Sequence, residues 1–227
     1  MFKEGPKWYR DKKIAEKYDK TRFSRGGKIL DRKEKKIVLN LVNPKDKKIL
    51  DIATGTGRFA ELLSRKGGKV IGLDASKEML KNRSAEYIQG DAFELPFEDE
   101  VFDITISIRF LHLLKKERIP RFIEEVKRVT REKMIFETLH PLSFRVMYQW
   151  CLPQDSHMYS NSCIGDIIAD LNFVRKIKSY PFFLFPYGVY QLLPIDLAEK
   201  INRIDEKLID SHNWLASTVY WEVFFKS

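Results

Sequence analysis

Four short stretches of this chain carry side chains whose type and spacing could do chemistry. The first is Lys48 to Ala60, KILDIATGTGRFA, in which Asp51 closes an apolar run and a glycine-rich turn follows. Asp74 closes a second run, KVIGLD; Asp91 follows Gly90 after a third; Arg109 and His112 follow a fourth, VFDITIS. Ile49, Leu50 and Ile52 suit a strand buried on both faces, and Gly55 and Gly57 supply the freedom for a sharp turn. A ligand's polar end could then meet bare main chain. The helix expected to begin near Gly57 aims its first N–H groups at the same gap, which favours an anionic group. Gly55, Gly57 and Ala60 fit the loose G-x-G-x-x-G/A pattern, so the ligand could be a dinucleotide. Asp51 argues for a cationic ligand instead, because its charge would meet a pyrophosphate unfavourably.

The spacing from Asp51 to Gly57 resembles the first motif of class I S-adenosylmethionine-dependent methyltransferases. The resemblance implies that Asp51 faces the amino group of the cofactor's methionine part. The first small residue of the turn, often glycine in that family, is Ala53 here, a variant also used by the ubiquinone and menaquinone methyltransferase branch. Asp74, with Ala75 beside it, would accept hydrogen bonds from adjacent ribose hydroxyls, a feature that nicotinamide sites share. The order Gly90-Asp91-Ala92, Leu95-Pro96-Phe97 and then an FD strand is typical of methyltransferases. It implies Asp91 on the exocyclic amine of adenine, the main chain of Ala92 on a ring nitrogen, and Met79 as an apolar wall. Ile108 and Arg109 would line the donor site beside the methionine portion, and Arg109 could also face the substrate.

The elements that must position these residues follow from the remaining pattern. At 227 residues and 26.8 kDa the chain suits one α/β domain, burying roughly 70% of its unfolded surface. The expected fold is Rossmann-like, a doubly wound, seven-stranded, mostly parallel sheet with an N-terminal helical lid and a C-terminal insert. Residues 1–45 would form the helical arm, 46–139 the cofactor-binding half and 140–227 the substrate side. Lys7 to Arg22 can form an amphipathic helix carrying AEKYD, Ala15 to Asp19. In the family a similar arm folds over the cofactor, so Tyr18 either closes the site or packs the arm on the core. Helices are expected from about Asp31 to Leu41, from Phe59 to Leu63 and from about Glu117 to Val129, with Ser76 as a further helix cap. Lys133 to Thr138 reads as a fifth strand, although Thr130-Arg131-Glu132 stands where the family commonly has a proline and two glycines.

Beyond His140 the chain should choose the acceptor. Phe144 to Leu152 is aromatic, Ser162 can cap a helix through Leu171, and Val174 to Ser179 reads as a sixth strand. YPFFLFPYGVYQLLP is either a loop on the sheet's edge, a wall of the acceptor pocket, or a dimer or membrane-surface contact. Leu197, Ile201, Ile204 and Leu208 share one face of a helix at spacings of four, three and four. Thr218 to Phe225 is expected as the edge strand, antiparallel by resemblance.

Composition narrows the partners. A net charge of +9 and a pI near 9.4 can mean a polyanionic partner such as RNA. The excess is densest at Lys12, Lys13, Lys17, Lys20, Arg22, Arg25 and Lys28. Charged residues at 32%, interleaved as in Lys33 to Lys36, equally resemble the surfaces of proteins from hot environments. No apolar run of about 18 residues exists, and MFKEGPKWYR lacks a signal-peptide core, so a soluble, cytoplasmic protein is expected. Cys151 and Cys163 offer no metal-ligand spacing and the four histidines are scattered, so no metal is expected. His112 resembles the histidine of the family's L-H-H-L segment and would be either a general base or structural. The reading is methyl transfer from S-adenosylmethionine, leaving S-adenosylhomocysteine, to a small apolar or aromatic acceptor. The alternatives are an RNA methyltransferase, a NAD(P)-binding oxidoreductase and a cofactor-binding relative without activity.

Overall fold

The computed structural model describes residues 22–80, 86–141, 157–185 and 187–226. Tyr18, the AEKYD segment and the Phe144–Leu152 stretch lie outside the described residues.

Seven strands form one sheet: β1 (Lys48–Ile52), β2 (Lys69–Asp74), β3 (Glu86–Gln89), β4 (Phe102–Ser107), β5 (Thr130–Leu139), β6 (Val174–Phe183) and β7 (Thr218–Phe225). Their order is β3-β2-β1-β4-β5-β7-β6. The first five are parallel, and β7 runs antiparallel to both β5 and β6. The order reverses between β1 and β4, which in open α/β sheets is where the crevice for ligands opens beyond the strands' carboxyl ends. β7 is therefore an interior strand and not the expected edge. The reason is in its composition: seven of its eight residues are buried, and both ladders are satisfied. The edge falls to β6, whose exposed Arg175, Lys176 and Lys178 suit a strand with one unpaired side.

Six helices cover the sheet among the described residues: α1 (Gly27–Val42), α2 (Arg58–Arg65), α3 (Ile119–Val129), α4 (Asn161–Ala169), α5 (Tyr187–Leu192) and α6 (Ile195–Leu208). Alternation along the strands divides the core. Leu50, Ile52, Met134 and Phe136 pack with Phe122, Ile123 and Val126 of α3 and with Ile164 and Ile168 of α4. Ile49, Ile104, Ile106 and Ile135 face Val38 and Val42 of α1 and Phe59, Ala60 and Leu63 of α2. Each large side chain buried this way contributes roughly 1.5–3 kcal/mol, so both helical layers are held chiefly by this burial. Near the sheet's carboxyl end, Ile29 and Leu30 of α1 join Phe183, Tyr187, Tyr190 and Ala198 in a third cluster.

Several expectations are corrected. α3 runs into β5 without a turn: Thr130 is already extended at φ −121°, ψ 130°, and its hydroxyl meets that of Thr105 at 2.6 Å. That buried bond explains why Thr130-Arg131-Glu132 opens the strand. The aromatic run is not a loop, since Tyr180 to Phe183 completes β6 and Tyr187 to Leu192 forms α5. Ser160, not Ser162, caps α4, accepting from the Cys163 N–H at 3.2 Å. Ser76 caps a turn, with Met79 N–H reaching its carbonyl at 3.2 Å, and the residues from Lys81 to Ala85 lie outside the description. On α6 the shared face of Leu197, Ile201, Ile204 and Leu208 points outward. The helix's inward residues are Ala198, Asn202 and Asp205, while Leu197, Ile204 and Leu208 are exposed.

Candidate active site

The glycine-rich turn after β1 is shaped by a demand for left-handed backbone at three alternate residues. Ala53 has φ +55°, Gly55 φ +57° and Gly57 φ +76°. Glycine meets such a demand freely, whereas an alanine there carries a Cβ against its carbonyl at a cost of roughly 1–2 kcal/mol. A Cβ at Gly57 would also strike the Tyr87 hydroxyl, because that ring from β3 lies across the turn. At Gly55 the nearest atom would be the Met79 Cε, at an ordinary 3.5 Å. Gly55 is thus required by its backbone angle, and Met79 lies over it.

Two carboxylates brace this turn. Asp51 is 2% exposed; Thr54 Oγ1 donates to its Oδ2 at 2.6 Å, and the Ala60 N–H reaches the same group. Burial pushes the Asp51 carboxyl up to about 7 despite those two donors, and the neighbouring Asp74 pushes in the same direction. Asp74 closes β2, accepting from Gly55 N–H and from Ser76 N–H, each at 2.8 Å. Burial raises its pKa too, opposed by the N–H groups of Ser76, Gly55 and Ala75. Asp91 stands just past β3, its Oδ1 accepting the Phe93 N–H at 3.0 Å, and Ala92 beside it is buried. The Gly90 N–H donates to the Asp74 carbonyl at 3.1 Å, which places Asp91 beside the end of β2. Arg128 of α3 fixes the loop that follows. Its guanidinium donates to the carbonyls of Phe97 (2.8 Å) and Leu95 (2.9 Å), while Glu125 accepts the Leu95 N–H at 2.7 Å.

A second group of polar residues occupies the carboxyl ends of β4 and β5. Glu34 of α1 is 1% exposed and accepts from the Tyr187 hydroxyl at 2.6 Å and from Arg58 at 2.7 Å. Arg109, held at φ +66°, lies 3.7 Å from Glu34 with its guanidinium 4.6 Å over the Tyr187 ring. Burial alone would raise the Glu34 pKa, but Arg58, Arg109 and Arg22 outweigh it and hold the carboxyl below its ordinary value. Burial beside Glu34 lifts the Tyr187 phenol well above its usual range. Ile108 is buried among the core residues of the α1 and α2 side. His112, in a short turn at Leu111–Leu113, is 7% exposed, with Nδ1 4.0 Å from Oε1 of the fully buried Glu137 on β5. Tyr220 of β7 pairs with Glu137 in register, and its buried hydroxyl has no hydrogen-bond partner among the described residues.

The residues expected on the donor side thus fall into two places. Asp51, Ala53, Gly55, Gly57, Asp74, Ala75, Met79, Asp91 and Ala92 gather at the ends of β1, β2 and β3, whereas Arg109 turns toward Glu34 and Tyr187. Sequence reasoning missed Glu34, Arg58, Tyr87, Glu137 and Tyr220. Glu137 left one signal, a carboxylate inside the apolar strand MIFETL. Among the described residues no group of three or more His, Cys, Asp or Glu side chains is placed to hold a metal ion.

Residues 50–136 match the family described as a methyltransferase domain, from the middle of β1 to the middle of β5. A demethylmenaquinone methyltransferase of Thermotoga maritima is 41% identical over 144 residues, which is 57% of this chain and 60% of that protein. Over this stretch the chain is thus similar to a methyltransferase domain. It spans less than two thirds of the length of the first curated relatives it matches. The likeness of fold to solved methyltransferase structures extends over nearly all of the chain. A Thermotoga maritima crystal structure titled SAM-dependent methyltransferase, possible histamine N-methyltransferase, aligns with a TM-score of 0.67 at 17% identity, covering 96% of this chain and all of the other. The magnesium protoporphyrin IX methyltransferase of Synechocystis with bound SAH aligns at 0.65 and 12% identity, covering 96% and 97%.

The residues at β1 to β3 fit S-adenosylmethionine, the cofactor that the resemblance implies. Gly55 leaves room at its Cα beside Met79, and Asp74, with three N–H donors on two oxygens, keeps a lone pair to offer.

Proposed function

We propose that this chain transfers a methyl group from S-adenosylmethionine to a small aromatic acceptor of the quinol kind. One observation carries the reading: a single sheet edge holds both a glycine and carboxylate cradle at β1–β3 and a buried His–Glu pair at β4–β5. The acceptor class follows the names of the relatives, which specify demethylmenaquinone. When bound, S-adenosylmethionine supplies a methyl group already activated on a sulfonium.

In this reading Asp74 accepts the ribose hydroxyls, Asp91 and the Ala92 main chain hold adenine against Met79, and the turn from Ala53 to Gly57 borders the methionine part. Asp51 acts through the turn, which it ties down through Thr54 and Ala60. A phenol is a weak carbon nucleophile until it loses its proton. His112 is the group that takes it, and Glu137 at 4.0 Å stabilises the imidazolium that results. Arg109, stacked on Tyr187, borders the acceptor. Of the arm's basic residues that are described, Arg22 is turned toward Tyr187 and Glu34, while Arg25 and Lys28 are exposed.

The test is methyl transfer from radiolabelled S-adenosylmethionine to a reduced demethylnaphthoquinone and, in parallel, to a total extract separated into lipid, small-molecule and RNA fractions. Label should enter the quinol and the lipid fraction. His112→Ala should lower turnover roughly 10²–10⁴-fold while calorimetric binding of S-adenosylhomocysteine is unchanged. Label that follows RNA and vanishes with nuclease, or tight NAD binding without donor binding, overturns the reading.

A further inference from the structure

The six large hydrophobic side chains left exposed among the described residues all fall between 192 and 214: Leu192, Ile195, Leu197, Ile204, Leu208 and Trp214. Three of them, Leu197, Ile204 and Leu208, make the outward stripe of α6 at spacings of seven and four, with the half-buried Ile201 between. The helix cannot turn this stripe inward. Its other side is locked by Asp205, which accepts from the Tyr190 hydroxyl and from the Leu184 N–H at 2.8 Å, and by Ala198 in the third core cluster.

The charges of α6 are sorted as well. Glu199 pairs with Arg32 of α1 at 3.3 Å, and Glu206 pairs with Lys33 at 3.5 Å. Both acids are thereby neutralised against α1. Lys200, Arg203 and Lys207 are exposed, and none has an ion-pair partner among the described residues. At spacings of three and four they run along the flank of the apolar stripe; the acidic residues on that flank are Asp196 in the first turn and Asp210 just past the helix.

We infer that α6 docks this protein on the surface of an anionic lipid bilayer. The match is chemical: the stripe enters the acyl boundary, while the lysines and the arginine extend their stems along it and place their charges among phosphates. Trp214 has the amphipathic ring that settles at headgroup depth. At 14 residues the helix is about 21 Å long and lies in the interface plane; no helix among the described residues is long and apolar enough to cross a membrane. A protein groove would equally accept the stripe, but the unpaired cations beside it, in a chain of net charge +9, select a broad negative surface.

The test uses the full chain and vesicles of phosphatidylcholine with or without phosphatidylglycerol, read by co-sedimentation with no donor or acceptor present. Binding should require phosphatidylglycerol and weaken steeply with salt. Lys200→Gln with Lys207→Gln should weaken it roughly 25-fold, and Leu197→Ser with Ile204→Ser at least about tenfold. Both double variants should methylate a tail-less, water-soluble acceptor at the unaltered rate, which separates failure of docking from failure of the proposed reaction. No binding to either vesicle, or equal binding by the variants, overturns the inference. So does a dimer in sedimentation velocity that Leu197→Ser with Ile204→Ser dissolves, since a second copy would then cover the stripe.

Discussion

Along one edge of the sheet, the part formed by β1, β2 and β3 presents main chain and short side chains, whereas the part formed by β4, β5 and β7 presents large ionisable groups drawn from distant elements. On the first side the glycine turn, Asp74 and Asp91 sit within a few residues of their strands, and backbone N–H groups are their partners. On the second, Glu34 from α1, Arg58 from α2, Arg109 and Tyr187 from α5 hold one another, and Glu137 from β5 stands by His112. A ligand common to a whole family can be gripped by backbone, which changes little with sequence. An acceptor that differs among members needs side chains, and these can be exchanged one at a time.

The comparison breaks most sharply at Glu34. Glu34→Ala removes the carboxylate shared by Arg58, Arg109 and the Tyr187 hydroxyl, while Arg58 keeps Asp31 at 2.9 Å, so stability should fall by about 3 kcal/mol in denaturant unfolding, with folded protein still binding S-adenosylhomocysteine. Loss of donor binding by folded Glu34→Ala would mean that the two sides are one unit.

On the other side, Asp74→Ala removes charge-assisted bonds worth about 1.5–3 kcal/mol each. Calorimetry should show S-adenosylhomocysteine bound at least roughly tenfold more weakly; unchanged affinity would displace the ribose from β2.

Acidity sharpens the contrast further. The Asp51 carboxyl titrates near 7 in the folded chain because it is buried, against about 3.9 when unfolded. The folded state therefore holds a proton that the unfolded state has lost. The resulting stabilisation is complete below about pH 4 and drains away as pH rises through 7. Glu34, whose pKa is lowered, acts oppositely and loses its contribution as pH falls below the ordinary glutamate range. Melting temperature followed against pH should separate the two, and Asp51→Asn should remove the decline between pH 4 and 7.

The smallest effect is expected at Ala53. Glycine there relieves the left-handed strain but adds freedom to the unfolded chain, for a net gain of at most about 1 kcal/mol. Thermal unfolding should show Ala53→Gly equal to or slightly above the parent, and a marked loss would mean that the Ala53 methyl group packs to advantage.

What could be read from the chain follows the same division. β1, β2 and β4, with their terminal carboxylates and the glycine turn, were legible because apolar runs and turn residues are local signals. The buried ion cluster was not, because Glu34 lies in a charged run that reads as solvated surface, and only the packing of α1 against Arg58 and Tyr187 turns it inward. α6 marks a different limit. Periodicity shows that Leu197, Ile204 and Leu208 share a face, but which face points inward is decided by Asp205 and its bonds to Tyr190 and Leu184.

The interior position of β7 bears on how the molecule is made. β5 and β6 leave the ribosome before the strand that joins them, so during synthesis β5 ends with an open edge and β6 has yet to meet its ladder in β7. The sheet can close only when residues 218–225 have emerged and threaded between two strands already present. The sheet therefore closes one strand in from its edge, and a nascent chain stalled before Thr218 would hold β6 without the strand that joins it to β5.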